Sequence, residues 1–329
     1  MFFAGTEDPA CLGLFERARQ GAYIPLMNWE KRKITVDSQE FPAVAPLIIS
    51  ASRRTDIPGF HSDSFFAGLK RGWFGVPNPF EPKKIHLVST ELVRFVVFWS
   101  KNPAPAMGRL AELDAAGIGY YFLYTLNDYV KEGWEPGVPG LQDRLETFVR
   151  LSGDLGPDRV LWRFDPLVLS ASLGLDELIE RIAAIGIELK GRTQKLIFSF
   201  LDKDCYPVVR RNFPEGRELT VLEMEKAGRA IASLSGECGF EAASCAEEID
   251  LSGLGIRRNS CIDERLIRKI SAGDPVLTEF LDAHEGRLKD KGQRQACGCA
   301  VSRDIGSYGS CGFGCRYCYA RKKLLGVGR

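Results

Sequence analysis

The chain has 329 residues, of which 45% are apolar and 26% are charged, and its formal net charge is +1. This composition excludes disordered, collagen-like and coiled-coil proteins, and it describes a globular chain long enough to bury an enzyme-sized core. No segment approaches the roughly 18 consecutive apolar residues of a membrane helix, and the start lacks the layout of a signal peptide. We therefore expect a cytoplasmic protein with no membrane partner.

Six short apolar runs recur along the chain, as is typical of buried parallel strands. They cover residues 47–49, 95–99, 120–124, 160–162, 196–200 and 240–243. Helical periods lie over residues 103–116, 141–151, 175–187 and 219–234, followed by the predicted helix stops Gly117, Gly153, Gly191 and Gly236. The alternation predicts an α/β fold, either a (β/α) barrel or a partial TIM-type barrel, with a cysteine-rich iron–sulfur region at the C-terminus.

The organisation predicted from these patterns has three parts. Residues 1–45 form an extension that packs on the barrel, residues 46–245 form the barrel, and residues 246–329 form the cysteine-rich region. No linker or low-complexity segment separates them, so we expect one integrated domain. Residues 287–329 carry ten Lys or Arg against two Asp, so positive charge is concentrated where the cysteines are.

The ten cysteines indicate metal or catalytic use rather than disulfides, because thiols stay reduced in an ordinary cytosol. The densest stretch has the spacing C-x3-C-x2-C, with Cys311, Cys315 and Cys318 on one short loop. Three such thiolates can bind three irons of a 4Fe–4S cubane and leave the fourth iron open. The alternative is a four-thiolate zinc site, which needs a fourth ligand nearby and usually two zinc knuckles of the form C-x2–4-C.

A second group of cysteines lies in the same region. It consists of Cys245, Cys261, Cys297 and Cys299. Four thiolates suit a closed 4Fe–4S cluster or a structural zinc ion. A Cys-x-Cys pair with two distant partners does not match the usual zinc knuckles, so we favour a second cluster and keep zinc open. Arg294, Arg316 and Lys322 are the predicted counter-charges.

Each predicted strand is followed by polar residues of a kind that ordinary loops between strands and helices do not require. They include Ser52, Arg53, Arg54, Thr55, Asp56, Lys101, Asn102, Asn127, Arg163 and Asp165. Each alone is explained equally well by a helix cap or a turn. Because the carboxyl ends of barrel strands converge, the set as a whole predicts one active site.

Several motifs together resemble the uncharacterised family known as domain of unknown function 1848. These motifs are I-I-S-A-S-R-R-T-D-I-P, F-W-S-K-N-P, W-R-F-D-P, S-C-A-E, Q-R-x-x-C-G-C and C-x3-C-x-Y-C-Y-A, within about residues 20 to 320. The sequence departs from that pattern at Ser100, where Thr is expected, and at residues 61–64, where an aromatic-rich stretch is more usual. Neither departure touches the cysteines.

The C-x3-C-x2-C loop also resembles that of radical S-adenosylmethionine enzymes. A weaker likeness, through C-R-Y-C-Y-A-R and E-P-G-V-P, is to the spore photoproduct lyase-like enzymes. In those enzymes the cluster loop follows the first strand, whereas here it comes last, so the order looks circularly permuted. The resemblance then implies that residues 299–307 feed the first strand position and residues 47–50 supply the second, since closing a barrel brings its first and last strands together.

The resemblance implies a cofactor and a reaction. The open iron would bind S-adenosylmethionine, and one electron from an external donor such as flavodoxin or ferredoxin would split it into methionine and a deoxyadenosyl radical. That radical would take hydrogen from an unknown substrate. Cys311, Cys315 and Cys318 would bind the irons, and Tyr317 would lie near the adenine.

The resemblance also implies roles for the strand-end residues. Ser52, Thr55 and Asp56 are the candidates to meet the methionine amino group, and Arg53 or Arg54 can pair with a carboxylate. The remaining candidates line the ribose or the substrate: Lys101, Asn102, Asn127, Arg163 and Asp165. Cys205 and Tyr206 are proposed catalytic residues that return a hydrogen atom to the product radical; the alternative is that Cys205 is a half-buried structural residue.

Two other functions stay open. One is a barrel hydrolase that is held together by zinc or a cluster and uses the carboxylates of Asp56, Asp165, Asp202 and Glu247. A His-based site is not expected, since the three His residues do not have the spacing of metal ligands. The other is nucleic-acid binding or repair through the basic tail with Phe313, Tyr317 and Tyr319. Nucleic acid is the less favoured partner, because neutralising a cluster explains the same residues.

Overall fold

Each of the six predicted strands is present and begins within one residue of its predicted start. The computed structural model describes residues 29–284, 294 and 296–321. The strands are β1 (Glu30–Val36), β2 (Gln39–Ala45), β3 (Ile48–Ala51), β4 (Trp73–Pro77), β5 (Ile85–Ser89), β6 (Phe95–Ser100), β7 (Gly119–Thr125), β8 (Val160–Leu167), β9 (Lys195–Phe200), β10 (Glu241–Ser244), β11 (Arg257–Arg258) and β12 (Arg303–Asp304).

The helices lie mainly between these strands. They are α1 (Ile57–Phe60), α2 (Ser62–Arg71), α3 (Ala104–Met107), α4 (Ala111–Ala115), α5 (Leu141–Leu155), α6 (Leu175–Glu188), α7 (Pro207–Asn212), α8 (Val221–Cys238), α9 (Glu264–Ile270) and α10 (Pro275–Ala283), with a 3-10 turn at Ser252–Leu254. Within the described ranges, none of them is long and apolar enough to cross a membrane.

Eight strands form one sheet in the order β11, β10, β9, β8, β7, β6, β3, β12, and every neighbouring pair is parallel. All residues of β6 are buried, as expected for a parallel sheet covered on both faces. Alternate residues of a strand contribute to two different apolar clusters: Phe98 and Phe122 belong to one, whereas Val97 and Tyr121 belong to the other.

The C-terminal region supplies both edges of this sheet. β12 pairs in parallel with β3, with Arg303 opposite Ile49 and Asp304 opposite Ser50. The segment expected to lie before β3 in the sheet thus pairs with β3. β11 is the other edge, and the described residues show no pairing between β11 and β12. The parallel α/β sheet is therefore confirmed, whereas a closed, hydrogen-bonded barrel is not.

A second, four-stranded sheet in the order β1, β2, β5, β4 was not predicted. β1 and β2 form a hairpin from residues of the predicted N-terminal extension, and β4 and β5 are inserted before β6. Gly68 of α2 lets β4 pack closely, because a Cβ atom at this position would lie 2.3 Å from the ring of Phe74. Residues 1–28 of the extension lie outside the described residues.

The predicted helix boundaries need two corrections. The period over residues 103–116 forms two short helices, α3 and α4, rather than one. Gly153 and Gly236 lie inside α5 and α8, and those helices end instead at Gly156 (φ 86°) and Gly239 (φ 78°). A positive φ suits glycine because it has no Cβ atom, so these two residues are the actual stops.

Candidate functional site

The cysteine loop (residues 310–320) docks against the segment that follows β7. The amide of Gly137 donates to the carbonyl of Phe313 over 3.0 Å, and the amide of Arg316 donates to the carbonyl of Trp134 over 2.9 Å. The E-P-G-V-P motif, which starts at Glu135, therefore packs on the loop that carries the three cysteines.

Glycines make this docking sterically feasible. A Cβ atom on Gly137 would lie 2.7 Å from the carbonyl oxygen of Gly312, and one on Gly312 would lie 2.6 Å from the ring of Phe60. Gly314 has a φ of 64°, which a residue with a Cβ atom rarely adopts. The glycines between the first two cysteines are thus required by the path of the loop.

Of the three thiols of the loop, Cys315 is buried and Cys311 and Cys318 are half-buried, and their charges act on one another. Burial raises the pKa of Cys315 to about 12, while the ammonium group of Lys101 acts in the opposite direction. Burial also raises the pKa of Cys311 and of Cys318, and the charge of Arg321 acts on Cys318 in the opposite sense. A metal must therefore displace protons from these thiols, and nearby cations offset the resulting negative charge.

The donor set fits an iron–sulfur cubane chemically, since three soft thiolates lie on one anchored loop with cations beside them. Within residues 29–284, 294 and 296–321, however, no group of three or more His, Cys, Asp or Glu side chains is arranged as it stands to hold a metal ion. Metal binding would have to draw the sulfur atoms into position.

A buried hydrogen-bond network anchors Tyr317 of the loop. Its hydroxyl accepts hydrogen bonds from Lys101 Nζ over 3.0 Å and from Asn127 Nδ2 over 2.9 Å, and it donates to Glu135 Oε1. Lys101 also donates to Glu135 over 2.6 Å. Burial acts to raise the pKa of Glu135, but Lys101 and Arg144 outweigh it and hold that pKa below its usual value. An ionised carboxylate is therefore the centre of this network.

Asn127 links this network to the end of β8. Its side-chain amide donates to the carbonyl of Asp165 over 3.0 Å and accepts from the Asp165 amide over 2.9 Å. The Asp165 carboxylate accepts a hydrogen bond from Ser199 and pairs with Arg163. The structure thus connects Lys101, Asn127, Arg163 and Asp165 in one network, in which Tyr317 and Glu135 stand between Lys101 and Asn127.

The loop after β3 is organised by Asp304. Its carboxylate accepts hydrogen bonds from the Ser52 hydroxyl (2.7 Å), the Arg53 amide (2.8 Å) and the Gly306 amide (2.9 Å). Arg54 Nε lies 3.6 Å from the same carboxylate. Ser52 and Arg54, both predicted to meet the cofactor, are directed in this structure at the end of β12.

Asp56 joins the loops after β3 and β6. Its carboxylate accepts from the Ser100 hydroxyl over 2.8 Å, from the Lys101 amide over 2.7 Å and from the Gly59 amide over 2.8 Å. Burial raises the pKa of Asp56 to about 6. With these oxygens engaged, Asp56 acts in this structure as a helix cap and a brace between strands.

The other predicted cofactor residues differ in what they offer. The side chain of Asn102 accepts from the Ala104 amide over 3.2 Å, so it caps a local turn. By contrast, Thr55 Oγ1 and Arg163 Nε are buried and have no hydrogen-bond partner among the described residues. Such orphaned polar groups fit the amino, carboxylate and hydroxyl groups of S-adenosylmethionine.

Cys205 and Tyr206 lie after β9, beside the cysteine loop. The Tyr206 ring stacks on Tyr319 with ring centres 5.1 Å apart, and the Arg294 guanidinium lies 5.9 Å from the centre of the Tyr206 ring. Cys205 is disulfide-bonded, which departs from the expectation of reduced thiols. In this state its sulfur has no hydrogen to donate, so the proposed role requires the reduced form.

The second thiol set (Cys245, Cys261, Cys297 and Cys299) is brought together in space. Cys245 Sγ lies 3.5 Å from Cys261 Sγ, and the Cys261 amide donates to Cys299 Sγ over 3.0 Å. The interaction with Cys299 lowers the pKa of Cys297. Hydrogen bonding with Cys261, followed by burial, raises the pKa of Cys245 well above its usual value.

The predicted counter-charges of the cysteines are only partly correct. Arg294 acts on Cys245, as expected. Arg316 instead pairs with Glu215 over 2.6 Å, and Lys322 lies outside the described residues. Arg163 and Arg53, which were assigned to the cofactor, also face the second thiol set.

Sequence reasoning gave no role to three residues that organise the site: Asp304, Glu135 and Ser199. Asp304 stands in the segment predicted to precede β3, and Glu135 opens the E-P-G-V-P motif, so position and motif were the available signals. Ser199 lies within a buried strand run, and nothing in its local sequence indicates its contact with Asp165.

Comparison with known proteins gives a family but no activity. No curated protein matches the sequence. One solved structure that matches is a putative alpha-L-fucosidase from Bacteroides thetaiotaomicron VPI-5482, at 11% identity over 55% of this chain and 72% of that chain, with a TM-score of 0.26. A family model described as "Domain of unknown function (DUF1848)" matches residues 48–320. The chain therefore belongs to the DUF1848 family.

Proposed function

We propose that the protein is a radical S-adenosylmethionine enzyme whose open cluster is bound by Cys311, Cys315 and Cys318. When bound, the reduced cluster supplies one electron to S-adenosylmethionine, which splits into methionine and a deoxyadenosyl radical that abstracts hydrogen from substrate. The electron comes from an external one-electron donor of the flavodoxin or ferredoxin class. The substrate stays undefined.

One observation carries this proposal: the position of the cysteine loop relative to the parallel sheet. The loop follows β12, and β12 pairs in parallel with β3 at the edge of the sheet. The thiols consequently lie near Asp56 and Lys101, which follow the next two strands in the sheet. A three-cysteine loop after the first of a series of parallel strands is the arrangement that the resemblance implies.

In this proposal the chain's own residues bind and orient. Thr55 and Arg163 offer buried polar atoms without partners to the polar groups of the cofactor. Lys101 and Asn127 fix the Tyr317 hydroxyl, which holds the second half of the cysteine loop against the sheet. The burial of Cys315 excludes water from this side of the site.

A hydrolase is less well supported, because the rim carboxylates are already engaged. Asp56 braces two loops, Asp165 accepts from Ser199 and pairs with Arg163, and Asp202 accepts from the Cys205 amide over 2.8 Å. Glu247, whose pKa burial raises to about 7, accepts from the Phe200 amide over 3.0 Å and is the remaining candidate base. General acid–base hydrolysis needs two groups that can exchange protons with substrate.

Nucleic-acid binding through stacking is also less well supported. Of the three aromatic residues that would stack on bases, Phe313 and Tyr317 are buried, and Tyr319 is 42% exposed. Stacking requires an accessible ring face. The buried rings serve instead to dock the cysteine loop.

The proposal is tested by the products of the reduced, cluster-loaded protein. Anaerobically reconstituted full-length protein, reduced with dithionite and given S-adenosylmethionine, should form deoxyadenosine and methionine in equal amounts. Cys315→Ala should form neither, whereas Cys238→Ala, which removes a buried thiol outside both cysteine groups, should retain the activity. A cluster-replete wild-type protein that forms no deoxyadenosine would overturn the proposal.

A further inference from the structure

The second thiol set lies at the gap between the two edge strands of the eight-stranded sheet. β11 forms one edge and β12 the other, and the described residues show no ladder between them. Cys261 follows β11 by three positions, and Cys299 precedes β12 by four. The set therefore joins two chain segments that strand pairing leaves apart.

Contacts outside the thiols already cross this gap. The amide of Ala300 donates to the carbonyl of Ile262 over 2.9 Å, and the Ser260 hydroxyl donates to the carbonyl of Gly298 over 2.8 Å. These bonds hold the segment after β11 beside the segment before β12. The four sulfur atoms thus have a defined framework on both sides.

The sulfur atoms are surrounded by groups that stabilise thiolates. The amides of Cys261 and Ile262 donate to Cys299 Sγ over 3.0 and 3.4 Å, and the side-chain amide of Asn259 donates to Cys261 Sγ over 3.3 Å. Hydrogen bonds of this kind orient and tune the ligands of metal centres. A buried cysteine that serves packing alone requires no such donors.

Positive charge faces the same sulfur atoms. Arg163 and Arg294 act on Cys245, and Arg53 acts on Cys299. Four thiols that bind one zinc ion release their protons to solvent and leave a net charge of roughly −2 on the centre. These guanidinium groups offset part of that charge, since Arg163 also pairs with Asp165 and Arg294 lies 3.6 Å from Asp202.

We propose that the second thiol set binds a soft metal through four thiolates, and that this centre fastens the two edges of the sheet to each other. The 3.5 Å contact between Cys245 and Cys261 is close to the separation of about 3.8 Å that a tetrahedral zinc ion with bonds of about 2.3 Å imposes. The four thiols are not arranged as a complete metal site in this structure, so metal binding has to draw the other sulfur atoms closer. A closed 4Fe–4S cluster has the same ligand chemistry with wider sulfur spacing. The proposal does not depend on the radical chemistry of the cysteine loop.

Metal content tests the ligand set. Full-length protein purified anaerobically should contain, beyond the iron of the cysteine loop, about one zinc, or about four further irons with matching sulfide. Cys261→Ser and Cys299→Ser should lose this metal, whereas Cys315→Ser and Cys238→Ser should keep it. The Cys315→Ser arm separates a failure at the cysteine loop from a failure here. Either metal supports the centre; wild-type protein with neither overturns it.

Hydrogen exchange on wild-type protein tests the fastening and does not require a variant to fold. Removing the metal of the second thiol set with a chelator should speed amide exchange in residues 257–262 and 297–304 by roughly tenfold or more, since a local restraint is lost. The Ala300 amide, whose partner is Ile262, is the most direct probe. Amides in the middle of α6 should be unaffected. Unchanged exchange at the two segments after complete metal removal would overturn the proposal.

Discussion

The hydroxyl of Ser52 donates a hydrogen bond of 2.7 Å to Oδ1 of Asp304, joining residues that are 252 positions apart in the sequence. Ser52 follows β3, and Asp304 ends β12. This bond, together with the Arg53 amide bond to the same carboxylate, ties the loop predicted to meet the cofactor to the strand that leads into the cysteine loop. The Asp304 carboxylate therefore joins the end of β12 to the loop that follows β3.

Replacing this carboxylate should destabilise the protein. Asp304→Asn puts an amide group among several hydrogen-bond donors, so we expect the free energy of unfolding to fall by about 2–4 kcal/mol. Chemical denaturation measures the change. Asp63→Asn, at a side chain that is 99% exposed, is the matched control and should stay within about 0.5 kcal/mol of wild type. Equal effects of the two substitutions would show that Asp304 is not an anchor.

Gly306 allows the close approach of β12 to Ser52. A Cβ atom at Gly306 would lie 1.9 Å from Ser52 Oγ, so Gly306→Ala should lower the free energy of unfolding by about 1–3 kcal/mol. Gly108→Ala is the control, because nothing lies within 4 Å of its added Cβ atom and its φ of −65° suits alanine. A Gly306→Ala protein as stable as the control would contradict the packing described.

The Lys101–Glu135 pair should behave as a coupled unit. Lys101→Met leaves the buried Glu135 carboxylate without its closest cation, and we expect a loss of about 3–5 kcal/mol in metal-free protein. Adding Glu135→Gln should recover part of that loss, so the double variant should be more stable than the sum of the single effects predicts. Lys131→Met, at an exposed ion pair, should be nearly neutral. Additive effects would contradict coupling.

The start of α8 gives a prediction for the pH dependence of stability. The hydrogen bond from Arg217, followed by that from the Thr220 amide, lowers the pKa of Glu223 from 4.5 to about 2. A lowered native pKa means that the stabilisation is present above about pH 4.5 and is lost as the pH falls toward about 2. The difference in Tm between wild type and Glu223→Gln should therefore shrink from about pH 6 to about pH 3. A constant difference over this range would contradict the prediction.

The main sheet could be predicted from sequence because its strands are buried on both faces and read as continuous apolar runs. The second sheet could not, since β1 carries four consecutive polar residues, Glu30 to Lys33, and β2 contains Pro42. Gly153 was mistaken for a helix end because a single glycine costs a helix about 1 kcal/mol, which packing overrides.

The composition of the candidate site was predicted better than the roles within it. Polar residues after parallel strands must converge, so Lys101, Asn127 and Asp165 were found together. Whether a polar side chain is already hydrogen-bonded within the protein or is left to bind a ligand depends on residues that are distant in the sequence. Asp56 is engaged by Ser100, whereas Thr55 beside it is not engaged. Local sequence carries no information on that difference.

The most direct test of the account is the electron paramagnetic resonance spectrum of the reduced, reconstituted protein before and after addition of S-adenosylmethionine. If the cofactor binds the open iron held by Cys311, Cys315 and Cys318, the signal of that cluster should change in g values when the cofactor is added. Cys315→Ala should lack this response. A cluster signal that is identical with and without S-adenosylmethionine would contradict the assignment of the cysteine loop to radical chemistry.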